Sequence, residues 1–181
     1  ISFLYKVFAQ YADLRTHVSR SGFEQFVVKK LFKEKNSYYI PNCVNLQRKT
    51  AKKLNYDQNH STPFTFILVG RLVGLKNYDF ILKAFAPLVQ KYDTSLKIIG
   101  DGPELLNLKK IAAELKISKN VFVLGKRLDV FKQLASCDCL LIASDFEGLP
   151  MVLLEAGSVG IPFITTEVGD CGIIARETNC G

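Results

Sequence analysis

Cys137-Asp138-Cys139-Leu140-Leu141-Ile142-Ala143-Ser144-Asp145-Phe146-Glu147-Gly148-Leu149-Pro150-Met151-Val152-Leu153-Leu154-Glu155-Ala156 changes character twice. Residues 137–144 form an apolar run of strand length. Residues 145–148 carry two acids and end in glycine, and after Pro150 the apolar stretch from about Met151 to Val159 reads as a helix. Strand, turn and helix in that order make a βα unit, because proline suits the first turn of a helix and an uninterrupted apolar strand suits a parallel sheet covered on both faces.

The same alternation recurs on both sides. FTFILVG (64–70), SLKIIG (95–100), NVFVLG (120–125) and IPFITT (161–166) read as further strands. Between them, Tyr78 to Lys91 reads as a helix with Phe80, Ile81, Ala84, Phe85 and Leu88 on one face. Glu104 to Leu115 is a second helix, with Leu105, Leu108, Ile111, Ala112 and Leu115 at the 3.6 period, and a short third lies near Asp129 to Ser136. Repeated βα units predict an α/β domain built on a Rossmann-like parallel sheet flanked by helices. Residues 1–45 differ: Leu14 to Ser19 reads as a strand, Gly22 to Phe32 as a helix and SYYIPN (37–42) as a strand, a partial α/β segment. Residues 46–62 are polar, basic and rich in Asn and Lys, and read as a linker before a domain over 63–181.

Composition limits the function classes. The chain has 181 residues, 48% hydrophobic and 23% charged, with 13 Phe, which excludes a disordered or low-complexity chain. No apolar run nears the roughly 20 residues of a spanning helix, and the first residues lack the layout of a signal peptide. The absent initiator Met points to a fragment. Cys43, Cys137, Cys139, Cys171 and Cys180 are odd in number and lack zinc or disulfide spacing, so they read as reduced cytosolic thiols, Cys137 and Cys139 packing at a strand start. Residues 1–62 hold 11 Lys+Arg against 4 Asp+Glu, whereas 63–181 hold 13 of each, so the whole net charge of +7 sits in the first third. Such a segment attracts anionic partners; nucleic acid is a weak candidate, since Lys49, Lys52 and Lys53 have few interleaved aromatics.

Four strands run into glycine-containing or charged turns: Gly70-Arg71, Gly100-Asp101-Gly102-Pro103, Gly125-Lys126-Arg127 and Ser144-Asp145-Phe146-Glu147-Gly148. In a parallel sheet these turns share the carboxyl edge, where open α/β folds bind ligands, so they are expected to converge on one crevice. Arg71 and Lys76, five residues apart across a glycine loop, suit a diphosphate, one as a planar fork and the other as a point charge; on spacing alone they are equally well solvated surface cations. The Gly100 to Pro103 turn is equally a plain βα turn capped by Asp101. The N–H groups around Gly148 to Val152 suit an anion or hydroxyl. Glu155 is costly to bury unless hydroxyls or other partners meet it; the alternative is a partly exposed Glu155, with Asp145 or Glu147 as helix cap.

The GRL…K segment (Gly70, Arg71, Leu72, Lys76), the GDGP turn, NVFVLG and the Glu147/Glu155 pair in EGLPMVLLE, in that order, resemble the nucleotide-sugar-binding half of a family 4 glycosyltransferase of the retaining GT-B fold. THVSRSGFEQF followed by YYIPNCVN is similar to the end of that family's N-terminal, acceptor domain, with Cys43 and Asn45 standing where Gly and Asp are usual. The resemblance implies a 63–181 donor domain truncated at its C-terminus. It implies transfer of a hexosyl or N-acetylhexosaminyl group from a nucleotide-sugar, UDP-sugar first, to a glycan or lipid-linked acceptor in bacterial surface polysaccharide or glycolipid synthesis. Arg71 and Lys76 would bind the diphosphate and stabilise the leaving nucleotide, with Glu147 catalytic at the sugar hydroxyls. Gly148, Leu149, Pro150, Met151 and Val152 would hold phosphate and sugar through backbone, and Glu155 the ribose. Gly125 and Lys126 would line the base pocket, with Gly70, Asp101 and Gly102 beside the nucleotide. No metal or other cofactor is expected, and no nucleic-acid partner. The expected location is cytoplasmic, peripheral on the anionic inner face of the membrane. The two glutamates do not read as a glycosidase pair, because Glu155 falls at the nucleotide end. His17 and His60 read as structural or surface residues. A nucleotide-sugar epimerase and a non-catalytic nucleotide-sugar-binding module are the alternatives.

Overall fold

The computed structural model describes Val7 and residues 11–28, 35–44 and 63–178. The expected linker at 46–62 lies outside these residues, as do the end of the first helix, His60, Cys180 and the Lys49, Lys52 and Lys53 group.

The first third supplies a parallel strand pair, β1 (Arg15–His17) and β2 (Ser37–Tyr39), joined through α1 (Arg20–Val28). The main sheet follows. Its strands are β3 (Phe64–Val69), β4 (Thr94–Ile99), β5 (Val121–Gly125), β6 (Cys139–Ile142) and β7 (Phe163–Thr165), all parallel in the order β5-β4-β3-β6-β7. Between them run α2 (Tyr78–Val89), α3 (Leu105–Glu114), α4 (Val130–Ala135) and α5 (Met151–Val159), and α6 (Cys171–Thr178) follows β7. Counted from β3, the order is that of the doubly wound dinucleotide-binding fold, and it reverses between β3 and β6, where such sheets open a crevice.

The central strand shows why these runs are unbrokenly apolar. Successive residues Ile67 and Leu68, both wholly buried, point to opposite faces of β3. Leu68 joins Leu72, Leu82, Phe85, Leu96, Ile98 and Leu108 beneath α2 and α3. Ile67 joins Leu134, Leu140, Leu153, Val159 and Phe163 beneath α4 and α5. Each such burial contributes about 1.5–3 kcal/mol before entropy is subtracted. Asp138 ties the strand starts together, its Oδ2 accepting from Thr65 N–H at 2.8 Å.

Two expectations need correction. On α2 the buried residues are Tyr78, Ile81, Leu82, Phe85 and Ala86, while Phe80 is 60% exposed and Ala84 and Leu88 also face out. The apolar stripe is wider than one helical face, and the sheet takes the side centred on Leu82. The first helix begins at Arg20, two residues before Gly22, because its first amides find partners elsewhere in the chain. The helix after β6 runs from Met151 to Val159 as expected, with Pro150 just before it in extended conformation, ψ 124. The helix α6 and a 3-10 turn at Gly74–Lys76 lie where the sequence reading placed no element.

Among the described residues, Cys137, Cys139 and Cys171 are buried free thiols and Cys43 an exposed one. None of the described helices is long and apolar enough to cross a membrane.

Candidate functional site

The site is assembled by the loops leaving β3 and β6, the strands that flank the reversal. At the end of β3, Gly70 donates to Ile99 O at 2.9 Å and Leu72 to Asp101 O at 2.9 Å, so the Arg71 backbone is fixed by the neighbouring β4 turn. Gly100 permits this closeness: a Cβ there would lie 1.8 Å from Gly70 O. Arg71 is exposed, and its guanidinium has no partner among the described residues.

The chain then turns through Gly74–Lys76 to Asn77, whose left-handed backbone (φ 50) starts α2. Asn77 holds the two loops together, its Nδ2 donating to Ala143 O at 3.1 Å and to Asp145 Oδ1. Asp145 N–H donates to Leu75 O at 2.9 Å. Across this seam the Lys76 ammonium pairs with Glu147 Oε1, with side-chain exposures of 23% and 11%. The same oxygen accepts from Ser144 Oγ at 2.7 Å. Ser144 is itself fixed, because its carbonyl accepts from Thr166 Oγ1 at 2.8 Å. Glu147 Oε1 is thus held twice, while no hydrogen bond to Oε2 occurs among the described residues.

Buried beside this pair is Tyr78, whose hydroxyl would stand 2.9 Å from a Cβ at Gly70. Burial first, then the negative charge of Glu147, raises its phenol far above the ordinary range, so it stays neutral under the loop.

The four turns share one edge but not one recess. Gly70, Arg71, Gly100, Asp101, Lys126 and Arg127 line a recess of about 440 Å³ with Val69, Ile99 and Val130 at its base. Phe146, Glu147 and Gly148 instead line a larger cleft of about 880 Å³, whose opposite wall is β1 and the start of α1. Glu147 lines the larger cleft, and its partner Lys76 lies beside the smaller recess, its Cε 3.8 Å from where a Cβ of Gly70 would stand. Gly102 folds back on its own turn, its amide donating to Asp101 Oδ1 at 2.8 Å, so Asp101 caps that turn and not the following helix. Leu149 and Pro150 are buried, Met151 is exposed and Val152 half-buried. No side chain caps the start of α5, so its first amides remain for a ligand or water. Asp145 and Glu147 therefore do not cap that helix.

Glu155 is half-buried, and among the described residues its carboxylate has no hydrogen-bond or ion-pair partner. Burial pushes its carboxyl above the usual range. His17 packs against Phe23 and Phe26 at 5.6 and 5.7 Å between ring centres and also lines the larger cleft. Burial, then Arg15, lowers its imidazole. Among the described residues no cluster of three or more His, Cys, Asp and Glu side chains could hold a metal ion.

Ser144, Asn77 and Tyr78 shape the site without standing out as site residues in the sequence. Ser144 carried a signal, three residues before Glu147 at a strand end; the other two reach the site only through the crossing of β3 and β6.

Comparison with known proteins agrees with this architecture. The sequence model of the family described as glycosyl transferases group 1 matches residues 51–181. An uncharacterized glycosyltransferase of Methanocaldococcus jannaschii is 32% identical over 162 residues, covering 86% of the chain and 40% of that protein. The Escherichia coli UDP-Gal:alpha-D-GlcNAc-diphosphoundecaprenol alpha-1,3-galactosyltransferase is 30% identical over 130 residues, 66% of the chain and 33% of that protein. Among solved structures, the lipopolysaccharide outer core galactosyltransferase WaaB in its apo form superposes with a TM-score of 0.69 at 29% identity, covering 88% of the chain and 44% of that structure. The chain thus spans less than half the length of these relatives.

Proposed function

The chain belongs to the glycosyl transferases group 1 family, and from that premise we propose that residues 63–181 form the nucleotide-sugar-binding half of a retaining glycosyltransferase. Residues 1–45 are the end of its acceptor domain and 46–62 the linker. The donor is a UDP-sugar, from which a hexosyl or N-acetylhexosaminyl group passes to a glycan or lipid-linked acceptor. The Escherichia coli relative, named for transfer from UDP-Gal to a diphosphoundecaprenol-linked sugar, supports both donor class and acceptor class. A lipid-linked acceptor places the enzyme at a membrane surface on its cytoplasmic side, where the basic first third would face anionic headgroups.

The observation that carries this reading is the Lys76–Glu147 pair at the strand-order reversal. A cation and a carboxylate held side by side suit two adjacent parts of one ligand: diphosphate on Lys76 and Arg71, sugar hydroxyls on Glu147. As the nucleotide departs, negative charge grows on the β-phosphate, and fixed cations stabilise that charge more than the ground state. The loop into α5 and its uncapped start, Gly148 to Val152, add the amides of Gly148, Leu149, Met151 and Val152. Gly125 and Lys126 line the base side, with Gly70, Asp101 and Gly102 beside the nucleotide. Glu155 meets the ribose hydroxyls, which would offset the cost of its burial.

Calorimetric titration of the chain with UDP-, GDP- and ADP-sugars tests this. Saturable binding of a UDP-sugar is expected; no binding to any of them at millimolar concentration overturns the donor site.

A further inference from the structure

Asp170 is 3% exposed, yet both of its carboxylate oxygens are engaged by a segment about 150 residues earlier in the chain. Oδ2 accepts from Arg20 N–H at 2.7 Å and Oδ1 from Ser21 N–H at 2.8 Å. These are the first amides of α1, which have no partner inside the helix and lie at the positive end of its dipole. Local capping reaches only the next amide, Gly22 N–H, which donates to Ser19 Oγ at 3.1 Å. Asp170 also grips the site: its own N–H donates to Gly148 O at 2.9 Å. The preceding Gly169, at φ +54, lies so close that a Cβ there would stand 2.3 Å from Glu147 O and 2.4 Å from Gly148 O.

One residue therefore touches both walls of the 880 Å³ cleft, the β1–α1 wall through its side chain and the Glu147–Gly148 wall through its backbone. The rim contact between Arg20 and Glu177, at 3.5 Å with both side chains more than half exposed, adds little. We propose that Asp170 is a positioning residue, a clasp that holds the start of α1 against the turn carrying Glu147 and so sets the width of the cleft. Moving α1 away strands a buried carboxylate and two helix amides at once, which makes the clasp two-state rather than gradual. Its consequence for donor binding rests on the reading of Glu147 given above.

Amide exchange by NMR on the 181-residue chain tests the clasp without reference to activity. In the wild type the Arg20 and Ser21 amides should exchange on the order of a hundredfold slower than an unprotected amide. Asp170→Asn, which keeps one acceptor and the shape, should speed both by about tenfold, and Asp170→Ala should remove the protection, with Leu68 and Leu96 unchanged. Unprotected Arg20 and Ser21 in the wild type, or rates unaltered in Asp170→Asn, overturn the clasp, and these two arms decide it even if the Ala variant fails to fold. Titration then separates the two readings. Asp170→Asn should weaken a UDP-sugar several-fold and change UDP less, because the sugar end rests on the Glu147 turn while the diphosphate also rests on Arg71. Equal UDP-sugar affinity overturns the coupling; absence of donor binding in the wild type overturns the functional reading and leaves the clasp to the exchange data.

Discussion

Replacing Glu147 with Gln separates the ion pair that its carboxylate makes with Lys76 from the sugar-binding role proposed for it. Glu147 Oε1 takes a hydrogen bond from Ser144 Oγ at 2.7 Å and the Lys76 ammonium. With side-chain exposures of 11% and 23%, the pair lies between a screened surface ion pair and a fully buried one. Glutamine keeps the shape and an acceptor oxygen but removes the charge, so the loss is about 1–2 kcal/mol, or a melting temperature lower by ~2–8 °C at this chain length. The same free energy is what a diphosphate must overcome to draw Lys76 away from Glu147. Bare UDP should therefore bind the variant more tightly, by ~5- to 30-fold at most, while a UDP-sugar loses its hydroxyl acceptor and shows little or no gain over UDP. Paired calorimetric titrations of UDP and UDP-sugar into wild type and Glu147→Gln read both effects. If UDP and UDP-sugar weaken in parallel, Glu147 is not restraining Lys76 against the diphosphate, and the division of roles across the seam is wrong.

Glu155→Gln should raise the melting temperature at pH 7 and weaken nucleotide-sugar binding. Burial lifts the Glu155 carboxyl above its ordinary value of 4.5, so the folded state holds that proton more tightly than the unfolded chain does, and the ionised form costs stability at neutral pH. The gain from Gln should fade as pH falls through the raised value toward 4.5; a variant that melts lower than wild type at pH 7 contradicts this. Gly100→Ala should cost more than about 4 kcal/mol, because its Cβ would stand 1.8 Å from Gly70 O, where two strand-end turns meet. A melt by circular dichroism close to that of wild type would show that these turns are not packed as described.

Much of this architecture was legible because a parallel sheet covered on both faces demands unbroken apolar strands, and FTFILV and CLLI meet that demand. Strand order was not legible, since parallel pairing leaves no local mark. The buried side of α2 is not legible locally, because Ile81 and Phe85 belong equally to a stripe with Phe80, Ala84 and Leu88 and to one with Tyr78, Leu82 and Ala86, and only the sheet chooses between them. The helix α6 is short and starts beside Gly169 and Gly172, with its lead-in set by Asp170 bonding to Gly148 rather than by a local motif. The site divides similarly. Arg71, Lys76, Glu147 and Glu155 were visible as charged residues at strand ends and on an apolar helix, whereas the pairing of Lys76 with Glu147 across 71 residues, and of Asp170 with Arg20 across 150, exists only after folding.

The proposed donor site puts a diphosphate where the sheet reverses its strand order. A crystal structure of the chain soaked with a UDP-hexose tests it most directly. The expected result is a diphosphate between the Arg71 guanidinium and the Lys76 ammonium, beside the start of α5, with the hexose on Glu147. A nucleotide bound elsewhere, with the Lys76–Glu147 pair intact and Arg71 untouched, contradicts it.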